Sequence, residues 1–156
     1  MVGRFYEPDE KICIIFDNVN YDKLREIPEF SKRHDNAANL GPLANEFHYH
    51  DIPLAREWAD TFEEGIKAYG FSEEKTHRHK DSDFNTMKNA IMEANDKIRV
   101  NAERGRRTLL LFFYAGHGGT RYMEGTYAFL NSNHRGNKEG GNQFALEEYL
   151  ENYCAR

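Results

Sequence analysis

Two short, unbroken apolar runs decide what this chain can become. They are Lys11-Ile12-Cys13-Ile14-Ile15-Phe16-Asp17 near the start and Thr108-Leu109-Leu110-Leu111-Phe112-Phe113-Tyr114 further along. A strand with one wet face alternates apolar and polar residues; these two do not, so each reads as a strand buried on both faces. Such strands belong to parallel sheets covered by helices, and the sequence between the runs supplies the helices. Pro53 stands where a first helical residue would, and Leu54, Ala55, Trp58, Ala59, Phe62, Ile66 and Tyr69 recur at helical spacing before Gly70 closes the segment. Glu74 to His79 reads as a short polar edge strand. Ser82 or Asp83 can cap a second helix that runs to about Glu103, with Phe84, Met87, Ile91, Ala94 and Ile98 on one stripe. The order strand, helix, weak strand, helix, strand predicts an α/β fold, a parallel sheet with flanking helices.

The remaining segments are less regular. Asp22 to Asp51 carries Pro28, Gly41 and Pro42 among several Asn and Asp residues and reads as a long loop. Arg104-Gly105-Arg106-Arg107 reads as a solvated turn between helix and strand, Thr126 to Leu130 as a short strand, and Asn131 to Asn142 as a mobile loop. Phe144 to Tyr153 reads as a closing helix. At 156 residues the chain is expected to form one domain, 1–156. Two strong strands and a weak one leave a long sheet edge unpaired, so the sheet is expected to be incomplete. On that expectation the chain is either a piece of a domain or a subunit whose terminal strands come from a second polypeptide.

Composition narrows the function classes. A formal net charge of -5 and a pI near 5.8 argue against binding a nucleic-acid backbone, which needs a clustered positive surface. No apolar run has membrane-spanning length, and Met1 to Glu7 contains no secretory apolar core, so neither a membrane nor export is expected and the default location is cytoplasmic. Cys13 and Cys154 make no disulfide framework and no CxxC metal pair. Cys13, inside an apolar strand, reads as inert core.

The second apolar run stops on Gly116-His117-Gly118-Gly119, which puts an imidazole at a strand's carboxyl end, where open α/β sheets bind their ligands. Glycines there allow a substrate backbone to come close. The segment lacks the Lys-Ser/Thr of a phosphate loop. His48-Tyr49-His50 and His77-Arg78-His79 are two H-x-H pairs that a strand would present on one face, but no carboxylate or Cys spacing supports a metal site. Asp81 and Asp83 resemble the start of a calcium loop without its Gly and distant Glu, and a helix cap is the better account. No metal or cofactor is expected.

Phe112-Phe113-Tyr114-Ala115-Gly116-His117-Gly118 resembles the histidine motif of the caspase-like cysteine peptidases, metacaspases above all. Ile14-Ile15-Phe16-Asp17-Asn18-Val19-Asn20-Tyr21-Asp22-Lys23-Leu24 is similar to their first strand and following Asn-Tyr loop, and Tyr69-Gly70-Phe71 and Phe144 to Leu150 sit where that family has helices. The resemblance implies a caspase-like fold and hydrolysis of a peptide bond in a peptide or protein substrate. His117 would act as base and acid partner of a cysteine thiolate. The Gly118 N–H would face the oxyanion, a donor that lowers such a barrier by roughly 3 kcal/mol. The family places its nucleophile on a following apolar strand. Here the only downstream cysteine is Cys154, flanked by Glu151-Asn152-Tyr153 and Ala155-Arg156, polar and helix-continuing, without the rigid placement a nucleophile needs. The expectation is therefore a histidine-bearing portion that does not hydrolyse peptides alone. The alternative is a non-catalytic caspase-like module serving as a scaffold. Arg25, Lys32, Arg33, Asp35 and Asp51 lie in the loop where the family sets specificity, and none aligns with a pocket residue.

Overall fold

The computed structural model describes residues 7–27, 51–121, 125–146 and 148–150. The first apolar run is strand β1, Glu10–Asp17, and the second is β3, Thr108–Ala115. Between them lie helix α1, Asp22–Arg25, helix α2, Leu54–Lys67, strand β2, Thr76–Lys80, and helix α3, Phe84–Glu103. The three strands form one parallel sheet in the order β2-β1-β3, with Ile14 opposite His77 on one side and Phe112 on the other.

The central place of β1 explains its composition. Ile12, Ile14 and Phe16 pack with Phe84, Met87, Ile91 and Ala94 of α3, whereas Cys13 and Ile15 face Ala59 and Ile66 of α2. Both faces of the strand are covered from Ile12 to Phe16, which is why that stretch carries only apolar side chains. Asp83 caps α3 through its carboxylate, which accepts the Thr86 N–H at 2.7 Å. At the other end of α2, Gly70 takes φ +82° and the Phe71 N–H reaches back to Ile66 O at 3.4 Å. The basic turn after α3 is held to the start of β1, with Arg106 on Glu10 and Arg107 on Asp9.

A second, antiparallel sheet follows: β4, Gly118–Arg121, β5, Gly125–Phe129, and β6, Gln143–Ala145, in that order. Ala128, Leu130 and Phe144 carry it onto the α3 face of the main sheet.

Four expectations need correction. Phe144 and Ala145 belong to β6 and pair with Ala128 and Tyr127; helical residues begin only at 146. Residues 118–121, for which the sequence predicts no strand, form β4 because β5 supplies a partner. The loop expected from Asp22 opens with α1, and residues 28–50 lie outside the described ones. On α2, Leu54 and Trp58 are about half exposed, and Tyr69 just beyond the helix is 73% exposed; the buried stripe is Ala55, Ala59 and Ile66. Two alanines there let the helix backbone approach the sheet.

Candidate active site

The chain leaves β1 toward α2 and β2 on one side, and returns by α3 to β3 on the other. The strand order therefore reverses between β1 and β3, and a crevice is expected beyond the carboxyl ends of these two strands. His117 sits there, two residues past β3, with its backbone continuing into β4. Tyr21, which follows β1, lies against it: the two rings meet edge to face with centroids 4.5 Å apart.

Both ends of the histidine's backbone are held. The His117 N–H donates to Tyr21 Oη at 2.8 Å, and His117 O accepts from the Phe129 N–H at 2.9 Å and from Tyr114 Oη at 2.9 Å. Phe129 and His117 are thus an opposed, hydrogen-bonded pair of the β4–β5 ladder, so the next pair, Gly118 and Ala128, is of the non-bonded kind. Consequently the Gly118 N–H points away from β5, toward the side of β4 on which no strand pairs among the described residues. Gly118 itself is exposed. An amide aimed off the sheet beside an imidazole is suited to receive a developing negative charge.

The loop after β1 is fixed by charge. Asp81 adopts φ +47°, which Asp tolerates better than most residues, and its carboxylate accepts the Val19 N–H at 2.7 Å, the Asn20 N–H at 2.9 Å and Arg56 at 3.1 Å. Burial alone would raise the Asp81 pKa; these donors outweigh it and hold the carboxyl below its ordinary range. The Asp81 side chain is therefore a loop clamp, and helix capping falls to Asp83. Behind it, fully buried Asp17 accepts from Arg78 Nη2 at 2.5 Å and from Arg56 Nε at 3.4 Å. Arg78 also meets Asp60 and Glu63; burial works against its charge, and these carboxylates with Asp17 raise its basicity above the ordinary value.

Neither cysteine stands beside His117 among the described residues. Cys13 is buried opposite Leu111, and burial together with the Glu63 charge pushes its thiol up to about 12, so it is protonated at neutral pH. Cys154 lies outside the described residues, as do His48, His50, Lys32, Arg33 and Asp35. Arg25 pairs with Asp51 at 2.9 Å. His77 and His79 do share a face of β2, but His79 stacks on Phe16 and His77 Nε2 lies 3.4 Å from Lys97 Nζ. Among the described residues no three His, Cys, Asp or Glu side chains are arranged to hold a metal ion, and no helix is long and apolar enough to cross a membrane.

The sequence located His117 and Gly118 but not the two tyrosine hydroxyls that hold the histidine. Tyr114 and Tyr21 belong to the two segments that carry the caspase resemblance, but nothing in their local sequence marks the hydroxyls. Gly116 also changes meaning: a Cβ there would come within 2.6 Å of Tyr114 Oη and closer still to Tyr21 Oη, so its smallness accommodates the phenols. Compared with family models, with curated proteins and with solved structures, the chain matches none.

Proposed function

We propose that the chain is the histidine-bearing part of a caspase-like cysteine endopeptidase, acting on a peptide or protein substrate in the cytoplasm. The observation that carries this reading is the juxtaposition at the end of β3: a backbone-clamped His117 followed at once by an amide, Gly118 N–H, directed off the sheet edge. In the proposed reaction a cysteine thiolate attacks the scissile carbonyl and the Gly118 N–H faces the resulting oxyanion. His117 then gives a proton to the leaving amine, and water releases the acyl group. The thiolate is the one part the described residues do not supply, since Cys13 is buried and protonated.

The test is to assay the full-length gene product on Arg- and Asp-terminated fluorogenic peptides beside His117→Ala. The expected outcome is cleavage that falls by about a thousand-fold or more in the variant, the loss typical of a general base. Equal background in both would sink the peptidase reading. The alternative reading is a non-catalytic scaffold. It predicts no cleavage and a stable second polypeptide that co-purifies along the β3 edge.

A further inference from the structure

Opposed residues of a hydrogen-bonded antiparallel pair exchange two bonds, N–H to O in each direction. His117 and Phe129 make the first of these directly, from the Phe129 N–H to His117 O at 2.9 Å. The second is rerouted. The His117 N–H donates to Tyr21 Oη at 2.8 Å, Phe129 O accepts from Tyr114 Oη at 3.0 Å, and the two phenol oxygens are 3.3 Å apart. Two side-chain hydroxyls thus stand in the ladder where one backbone bond would be.

Counting protons fixes the direction. Each phenol has one to give. That of Tyr114 is shared between two carbonyls, Phe129 O at 3.0 Å and His117 O at 2.9 Å, because a carbonyl has none to return. Tyr114 Oη is then the acceptor from Tyr21, whose own oxygen already accepts the His117 N–H. The sequence of donation runs from the His117 N–H through Tyr21 and Tyr114 to the carbonyl. Burial raises the pKa of both phenols, Tyr114 well above its ordinary value, so both remain protonated donors at neutral pH. The relay also explains Gly116, since a β-carbon would occupy the place of the hydroxyls.

We infer that Tyr21 and Tyr114 are positioning residues for His117: the hydroxyl pair inserted between β4 and β5 sets the direction in which the imidazole leaves the sheet. The catalytic meaning of that direction rests on the peptidase reading; the positioning itself does not.

The experiment is NMR on the isotope-labelled chain. In the wild type, the Tyr21 and Tyr114 hydroxyl protons are expected as slowly exchanging resonances, the Tyr21 proton showing a contact to the His117 amide, and His117 is expected in a single χ1 rotamer. In Tyr21→Phe, which keeps the ring, the His117 amide should exchange about ten-fold faster or more, and its χ1 couplings should average. Tyr114→Phe should do the same, with the double variant no worse than the more affected single one, while the amides of Ile12 to Phe16 stay protected. Absent hydroxyl resonances in the wild type overturn the inference whatever the variants do. So does a His117 that keeps its protection and rotamer in Tyr21→Phe. Peptide assays on the full-length protein separate the two claims: Tyr21→Phe should lower kcat with KM unchanged. A wild type with no cleavage but intact hydroxyl signals removes the peptidase reading and leaves the positioning standing.

Discussion

At the residue scale the site is governed by one vacancy of side chain, at Gly116. A methyl group placed there meets two phenol oxygens and the Tyr114 ring at once. Gly116→Ala should therefore destabilise the fold by about 1–3 kcal/mol, the usual cost of forcing atoms into an occupied core. Denaturant unfolding of Gly116→Ala in the wild type and in Tyr21→Phe/Tyr114→Phe checks this. Removing both hydroxyls should shrink the penalty, and an equal penalty in both backgrounds would mean that the hydroxyls are not what the glycine accommodates. His117 itself was legible in the sequence because an imidazole ending an apolar run marks a strand's carboxyl end. Its partner was not: the bond from the His117 N–H to Tyr21 joins residues 96 positions apart, and no spacing rule covers such a pair. The Arg78–Asp17 bond, 61 positions apart, was hidden for the same reason.

At the scale of elements, β1, β3 and α3 were readable because burial on both faces, or on one stripe, writes itself into local composition. Strand β6 was not, because it is three residues long and runs directly into the helical stripe of Leu146, Tyr149 and Leu150, so only pairing with β5 marks Phe144 and Ala145 as strand. Strand β2 is the polar exception in the main sheet, and its histidines make it sensitive to pH. Burial, then Lys97 beside His77 and His77 beside His79, hold both imidazoles below their ordinary range, with Glu93 opposing. The folded state then binds fewer protons than the unfolded one. The contribution of the two imidazoles to stability is full above the unfolded pKa of about 6.5 and is lost as pH falls through the lower folded values. Thermal unfolding midpoints should decline as the buffer is taken below about pH 6.5, and His77→Gln/His79→Gln should flatten the decline. A double variant with the wild-type slope would assign the pH dependence elsewhere.

For the whole molecule, the sheet order predicts a gradient of stability. β1 is flanked by strands on both sides and by helices on both faces, and Ile12 to Phe16 are all essentially inaccessible to water. Its amides should open only with global unfolding, whereas those of β2 at the edge, with half-buried side chains, should exchange through smaller openings. Hydrogen exchange across a denaturant series would show this as β1 amides converging on the global free energy last; β2 amides as slow as those of β1 would contradict it. Far from that core, Asn131 holds both the Lys23 N–H and Asp22, and Asn133 holds Glu26, pairs separated by more than a hundred positions. These contacts grip α1, the short helix that begins directly after Tyr21. Contacts of such sequence separation carry the largest loop-closure cost and raise the contact order of the fold. A cut just before Asn131 would part both anchors from β5 and loosen the hold on α1 and Tyr21 without touching a residue that bonds His117.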